Sequence, residues 1–464
     1  MTRRETAHPY IPNSVPEVRE EMLACIGARS VDELYQDIPE DLRLRRPLDL
    51  PEPLLSEVEL TRHVSDILSK NTTCEELVSF LGAGCYDHHV PAVCDEINRR
   101  SEFLTAYAGE PYDDHGRFQA LFEYQSMMGE LLDMDVVNVP TYDGLQASAT
   151  AMRMAVRITG RHRILVAATI NPAVLSKARD YGGPWLHLET IPTVSETGCL
   201  DVDALEAALS ADVAAVYFEN PSFLGMLEPR GREISEMTHA AGAICIVGVD
   251  PISLGVIAPP SDYGADMACG DIQALGMHMQ YGGGHAGFIG TRDEERYVME
   301  FPSRLFGLAP TCVPGEYGFG DVAYDRTSFA QREEGKEFVG TASALWGITA
   351  GVYLALMGPQ GMRELGEGIM QRVRYAMARL DEIDGVKAPL FDAPYFKEFT
   401  VGFQETGKTV AQVNETLLGQ RILGGVDLSA AFPQYGASAL FCVTERHTKA
   451  DLDRLVDGVR KVVS

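Results

Sequence analysis

The alternation of short apolar runs and amphipathic segments between Arg163 and Thr291 constrains the fold more than any other feature. The runs read RILVAATI, AAVYFEN, AICIVGVD and AGFIGT, and segments such as DVDALEAALS and REISEMTHAAG separate them. Continuous apolar strands that alternate with helices are typical of a parallel sheet covered by helices on both faces. The sequence therefore predicts an α/β domain whose ligand site lies beyond the carboxyl ends of the strands.

The regions on either side of this core have a different composition. Residues 1–60 are rich in proline and charge and predict an extended N-terminal arm, whereas residues 61–340 hold the large α/β domain. Residues 341–464 begin with a long apolar helix and predict a small C-terminal α+β domain. Capping-box spacing predicts helix starts at Ser30, with Glu33 three residues on, and at Thr448, with Asp451.

Composition excludes several classes of function. The 39 basic and 67 acidic residues give a formal charge of −28, which repels phosphate backbones and anionic lipids and argues against nucleic-acid and membrane partners. No signal-peptide core or long apolar run is visible, so we expect a cytoplasmic protein. The nine cysteines are scattered without a C-x-x-C pair, which predicts reduced, mostly buried thiols and no metal site.

Candidate ligand-binding groups follow the predicted strands. Asp250 ends the run AICIVGVD, Thr141-Tyr142-Asp143-Gly144 opens a helix, and Gly282, Gly283 and Gly284 form a glycine run. Each has a plain structural reading, because an aspartate can cap a turn and a glycine run can be a tight turn. Together they resemble the pyridoxal phosphate (PLP) enzymes of the aminotransferase-like fold type I, which need a helix N-terminus for the phosphate, an aspartate for the ring nitrogen and a glycine-rich turn.

The lysine that such enzymes require is missing. Its slot falls near Ala274, Leu275 and Gly276, and no lysine occurs between Lys177 and Lys336. Only an amine forms an imine with the PLP aldehyde, and Asp143 places a carboxylate where the phosphate dianion would lie. The resemblance to PLP enzymes therefore implies no catalysis by this chain alone and a vestigial cofactor site formed by Asp143, Gly144, Asp250, Gly282, Gly283 and Gly284.

Several longer segments resemble one known family. HPYIPNSVPEVREEML, FLGAGCYDHHVPAVCDEINRR, NPSFLGMLE and DPISLGVIAPPSDYGADMACGDIQALG are similar to subunit 1 of the two-subunit glycine decarboxylase, the P-protein of the glycine cleavage system. The resemblance implies that a paralogous, lysine-bearing subunit holds PLP and that the two form an α₂β₂ heterotetramer. It also implies that glycine, a small amino acid, loses its carboxyl group as CO₂ and that the aminomethyl group passes to the lipoyl arm of the H-protein.

The resemblance also suggests which side chains of this chain face a cleft shared with the partner: Tyr10, Asn13, Tyr107, Tyr112, Tyr142, Asn220, His278 and His285. Plain packing of the histidines and burial of the tyrosines remain alternatives. The chain departs from the family pattern in the stretch AGEPYDDHG and at Phe329, where the family has a histidine. These departures favour a decarboxylase subunit for a different amino acid as an alternative. A structural or regulatory pseudoenzyme and an enzyme that acts alone in the same fold without PLP also remain open.

Overall fold

The computed structural model describes residues 15–46, 48–103, 115–322, 324–340 and 342–463. The chain divides into two compact units, residues 1–72 and 73–464. The first unit contains helices α1 (Pro16–Cys25) and α2 (Glu57–Leu68), with two short 3₁₀ helices between them. Arg43 connects this intervening segment through ion pairs with Asp32, at 3.3 Å, and Glu40, at 3.0 Å.

A seven-stranded sheet forms the centre of the second unit, in the order β2-β8-β7-β6-β5-β3-β4. Strands β3 to β7 run parallel to their neighbours within that group, whereas β8 is antiparallel to β7 and β2 is antiparallel to β8. The predicted α/β fold with a mainly parallel sheet is confirmed. The strands, together with a short outlying strand β1, are β1 (Val78–Ser79), β2 (Val136–Val137), β3 (Arg163–Ala167), β4 (His187–Ile191), β5 (Val213–Glu219), β6 (Ile244–Gly248), β7 (Met267–Asp271) and β8 (Gly287–Thr291).

Helices cover this sheet because its central strands are apolar on both faces. The residues of β6 and β8 are all buried, and every residue of β5 except Glu219 is buried. Helix α5 packs against β5, β7 and β8, and it ends at Gly160, whose φ of 66° suits a left-handed cap. The helices are α3 (Ala92–Asn98), α4 (His115–Leu132), α5 (Gly144–Thr159), α6 (Pro172–Gly182), α7 (Val202–Ala208), α8 (Gly231–Ala240) and α9 (Glu295–Val298).

The C-terminal part of the chain forms a second, smaller sheet. A hairpin of β9 (Phe306–Pro310) and β10 (Tyr317–Asp321) precedes the long helix α10 (Ala344–Asp381), which kinks where Gly358, with φ of 58°, meets Pro359. Strands β11, β14 and β13 then pair antiparallel, and β12 pairs with β1 in parallel. These last elements are β11 (Glu398–Gly402), α11 (Val410–Leu418), β12 (Ile422–Leu423), β13 (Val426–Asp427), β14 (Ser438–Cys442) and α12 (Lys449–Val463).

Two smaller predictions have different outcomes. The capping box at Thr448 is confirmed, because Asp451 N donates to Thr448 Oγ1 at 3.2 Å and Thr448 N donates to Asp451 Oδ2 at 3.0 Å. The capping box at Ser30 is wrong, since the Ser30 side chain makes no cap hydrogen bond and only a 3₁₀ helix, Val31–Tyr35, follows it. A single 3₁₀ turn leaves few amides for a cap to stabilise.

The cysteines are free, but the prediction that most are buried is wrong. Four are buried, namely Cys94, Cys245, Cys269 and Cys442, whereas Cys25 and Cys312 are exposed and the other three are partly buried. Among the described residues, no helix combines the length and the apolar character that crossing a membrane requires.

Candidate functional site

A cavity of about 380 Å³ lies at the carboxyl ends of β5, β6 and β7. Glu219, Asp250 and Asp271 follow or end these three strands and line the cavity, together with the first residues of α5. Parallel strands bring their carboxyl ends to one edge of the sheet, so residues distant in sequence meet there. This is the edge at which the sequence predicts a ligand site.

The N-terminus of α5 is occupied by carboxylates of the chain itself. Asp143 caps the helix and accepts a hydrogen bond from Gln146 N at 2.6 Å, while Asp271 Oδ2 accepts one from Gly144 N at 2.8 Å. These amides are the donors that a phosphate at a helix N-terminus requires. They are already paired, and the two carboxylates would also repel a phosphate dianion.

His285 stands beside the same carboxylate. Its Nδ1 is 3.1 Å from Asp271 Oδ2. Hydrogen bonds to Asp271 and to Cys85 raise the pKa of His285 to about 10. The ring is therefore an imidazolium throughout the neutral pH range, and it balances the charge of Asp271.

Asp250 has an internal cation as its partner. Lys397, which directly precedes β11, places Nζ 2.6 Å from Asp250 Oδ2, and its side chain is only 2% exposed. The same ammonium lies 3.3 Å from the centroid of the Tyr86 ring and 3.3 Å from His88 Nε2. An aspartate that would pair with a pyridinium nitrogen is thus paired with a lysine.

Two further carboxyl groups in the cavity wall have raised pKa values. Glu398 accepts hydrogen bonds from Ala83 N at 2.6 Å and from the Tyr86 hydroxyl at 2.9 Å. Glu219 accepts from Asn171 N at 3.0 Å. Burial raises the pKa of Glu398 to about 6 and that of Glu219 to about 7.

The lysine slot offers no amine. Ala274 lines the cavity and Leu275 is fully buried. Gly276 has φ of 88°, and a Cβ built on it would lie 2.8 Å from Cys94 Sγ. Lys397 is the one lysine among the described residues that line the cavity, and Asp250 holds it in an ion pair. The described residues therefore do not fit PLP bound to this chain.

The other predicted site residues are dispersed. Tyr142 precedes α5 and is 52% exposed, whereas the Asn220 side chain bonds to the backbone of Glu228. His278 Nε2 lies 3.0 Å from Asp95 Oδ1, and neither residue lines the cavity. Gly282 lines the cavity, and Gly283 and Gly284 follow it in the same turn. Four candidates fall outside the described residues: Tyr10, Asn13, Tyr107 and Tyr112.

Sequence reasoning missed Asp271, Lys397 and Glu398. A signal for the last two exists in the segment YFKEFTVGF, where two adjacent charges interrupt an apolar run. Charges in a buried strand need partners, so this anomaly indicates a polar network at the start of β11. In the described part of the chain, no group of three or more histidine, cysteine or acidic side chains is arranged to hold a metal ion.

Related proteins match the sequence of this chain over almost its whole length. The family model for the glycine cleavage system P-protein matches residues 8–459. The probable glycine dehydrogenase (decarboxylating) subunit 1 of Staphylothermus marinus is 39% identical, over 99% of each chain. The corresponding protein of Carboxydothermus hydrogenoformans is 40% identical, over 97% of this chain and 98% of its own.

Two solved structures have a fold similar to that of this chain. The crystal structure of glycine decarboxylase (P-protein) of the glycine cleavage system, in inhibitor-bound form, has a TM-score of 0.85 and 34% identity and covers 98% of this chain and 100% of its own. A sphingosine-1-phosphate lyase from Burkholderia pseudomallei has a TM-score of 0.63 at 14% identity over 92% of this chain and 94% of its own, which shows the fold alone. The sequence match over almost the whole length leads to one conclusion: the chain belongs to the glycine cleavage system P-protein family.

Proposed function

We propose that this chain is the lysine-free subunit of a two-subunit glycine decarboxylase and that a paralogous, lysine-bearing subunit holds PLP. One observation carries the proposal: the chain's own side chains take both positions that the cofactor would need. Asp271 accepts from the first amide of α5, and Lys397 pairs with Asp250. A chain with these contacts requires another subunit for PLP chemistry.

The family is PLP-dependent, and the relatives named subunit 1 imply a second subunit. On our proposal this chain completes one wall of the partner's cleft within an α₂β₂ heterotetramer, and the lipoyl H-protein accepts the aminomethyl group. The predicted arm, residues 1–60, lies along the partner, while residues 61–340 and 341–464 act as the large and small domains. The shared-cleft side chains are those predicted from the sequence, of which Tyr142 is exposed and free to reach a partner.

The proposal is tested with the chain, its lysine-bearing paralogue and a lipoyl H-protein, purified separately and together. We expect visible cofactor absorbance only in samples that contain the paralogue. Glycine-dependent exchange of labelled bicarbonate should require both subunits. A paralogue whose lysine is replaced by alanine is the control for assembly without catalysis. Absorbance together with bicarbonate exchange by this chain alone would refute the proposal.

A decarboxylase for another amino acid is a second candidate, supported by the position where the family has a histidine. Phe329 there packs edge-to-face on Phe338, with ring centroids 5.2 Å apart, and Phe338 is 61% exposed. The resemblance places this segment close to the shared cleft, where an apolar pair would favour a larger, less polar substrate. The same assay with alanine, serine and leucine distinguishes the two, because faster CO₂ release than with glycine would assign the other substrate. Full activity of the paralogue without this chain would instead indicate a pseudoenzyme.

A further inference from the structure

The cavity at the carboxyl edge of the large sheet is of ligand size and has an acidic lining. Its volume of about 380 Å³ lies within the range of small-molecule sites, roughly 300 to 1,000 Å³. Lys397 and His285 are the cations of this lining, whereas five carboxyl groups line the same space: Asp143, Glu219, Asp250, Asp271 and Glu398. Such a lining repels anions and attracts cations.

The cations of the lining already have partners of their own. Lys397 Nζ lies 2.6 Å from Asp250 Oδ2, and His285 Nδ1 lies 3.1 Å from Asp271 Oδ2. The hydrogen-bond donors to the remaining two buried carboxyl groups are amides and hydroxyls, at Glu219 and at Glu398. Neither of these groups forms an ion pair with another described residue, so the cavity holds carboxyl groups that lack a cation.

These two carboxyl groups come from different strands and affect each other. Glu219 ends β5, and Glu398, which is 7% exposed, begins β11. Burial raises the pKa of Glu219, and the nearby charge of Glu398 adds to that effect. A cation placed between the two groups would offset both the cost of burying them and their mutual repulsion.

The wall of the cavity also shows how an ammonium group is held there. Lys397 Nζ contacts Asp250 Oδ2 at 2.6 Å and lies 3.3 Å from the centroid of the Tyr86 ring. A carboxylate together with the face of an aromatic ring is a favourable environment for an ammonium group. The same two kinds of group are available beside Glu219, because Phe223 also lines the cavity.

We propose that this cavity binds a small primary amine in its ammonium form, held between the carboxyl groups of Glu219 and Glu398. The ammonium group donates hydrogen bonds to both carboxylates, and a short alkyl group packs on Val174, Phe223 and Val249, which line the same space. An ammonium group needs only a few acceptors, whereas no described group of three or more histidine, cysteine or acidic side chains could hold a metal ion. The site belongs to this chain alone and does not rest on the proposed function.

The first test measures the class of ligand with the full-length chain at pH 8. Ligand-observed NMR titration gives the dissociation constant of n-propylammonium, without the paralogous subunit because PLP itself forms imines with primary amines. Tetramethylammonium has the same charge but donates no hydrogen bond, and 1-propanol has the alkyl group without the charge. We expect propylammonium to bind about tenfold more tightly than either. Equal affinities, or no saturable binding of propylammonium, would overturn the proposal.

Glycine distinguishes an amine site from an amino-acid site. Its carboxylate would meet the acidic lining, so we expect glycine to bind several-fold more weakly than propylammonium in the same titration. Tighter binding of glycine would assign the cavity to amino acids and overturn the proposed ligand class. Neither result changes the bicarbonate-exchange assay, which requires both subunits, so the two proposals fail separately.

The last test removes the carboxylates one at a time. Glu219→Gln and Glu398→Gln should each raise the dissociation constant of propylammonium about tenfold. Glu228→Gln is the matched control: burial also raises the pKa of Glu228, which accepts a hydrogen bond from Leu200 N at 2.9 Å, but Glu228 does not line the cavity. Melting temperatures show that each variant is folded. An unchanged constant in Glu219→Gln, or an equal loss in Glu228→Gln, would contradict the proposal.

Discussion

Lys397 and Asp250 form the most consequential single contact in the cavity. The Lys397 side chain is 2% exposed and that of Asp250 is 13% exposed, at an Nζ–Oδ2 distance of 2.6 Å. Removing one partner of a buried pair leaves an uncompensated charge, which costs about 3 to 5 kcal/mol. Removing both together is far less costly, because no charge then remains without a partner.

We therefore expect Lys397→Met to lower the free energy of unfolding by about 3 kcal/mol, and Asp250→Asn in the same chain to recover part of that loss. Urea denaturation measures both. Lys449→Met is the control, since Lys449 Nζ also lies 2.6 Å from a carboxylate, Asp453 Oδ2, but its side chain is 72% exposed. An exposed pair contributes less than about 1 kcal/mol. Equal costs for the two lysine variants would contradict the role of burial.

The position at which PLP enzymes have their lysine gives a second prediction about single residues. We expect Ala274→Lys to give no borohydride-reducible adduct with PLP, because Asp143 and Asp271 occupy the amides of α5. A carboxylate about 4 Å from a phosphate opposes binding by roughly 4 kcal/mol at an effective dielectric of about 20. Mass spectrometry after reduction detects the adduct, and Ala274→Lys with Asp143→Ser is the comparison in which a weak adduct is expected. A stable adduct in the single variant would show that the helix terminus still accepts a phosphate.

At the scale of secondary-structure elements, the helix N-termini show which of the predicted capping boxes form. Thr448 and Asp451 exchange both capping hydrogen bonds at the start of α12, whereas Ser30 makes none. We expect Thr448→Ala to lower the free energy of unfolding by about 1 kcal/mol and Ser30→Ala to leave it within about 0.5 kcal/mol. Chemical denaturation of the two alanine variants measures this, and a larger loss for Ser30→Ala would reverse the assignment.

The strands and the site differ in how far the sequence predicts them. The run AICIVGVD forms β6 as predicted, because β-branched side chains favour a strand wherever both faces of the sheet are packed. AGFIGT becomes β8, but it runs antiparallel to β7, and an apolar run contains no information on direction. The sequence predicts Asp250 as a site residue because Asp250 stands at the end of an apolar strand. Its partner Lys397 lies 147 residues further along the chain, and only the fold brings the two together.

For the whole molecule, two carboxyl groups of the cavity wall, Glu219 and Glu398, set a pH dependence. The folded-state pKa of Glu219 is about 7 and that of Glu398 about 6, both above the value of 4.5 for an exposed glutamate. A raised carboxyl pKa means that the folded state binds the proton more tightly. The stability that these groups contribute is therefore full below pH 4.5 and is lost as pH rises through the folded-state value.

Glu219→Gln should remove this loss for one group. We compare the free energies of unfolding of the variant and of the unmodified chain. The difference between them should grow in favour of the variant by on the order of 3 kcal/mol from pH 5 to pH 8. Denaturation at several pH values provides the measurement. Glu233→Gln is the control, because hydrogen bonding to Arg230 lowers the pKa of Glu233, which then stays ionised over this range. A flat difference for Glu219→Gln would refute the assignment.

The start of β11 connects segments that are far apart in the chain. Lys397 contacts Asp250 after β6, and the adjacent Glu398 holds Ala83 and Tyr86 in the loop after β1. If the small antiparallel sheet detached, two charged side chains and their partners would be left without compensation in one step. Partial opening would therefore leave buried charges unpaired, and we expect the C-terminal sheet and the large sheet to unfold as a single cooperative unit. A protease that needs a locally opened β11 would then cleave there only at the rate of global unfolding.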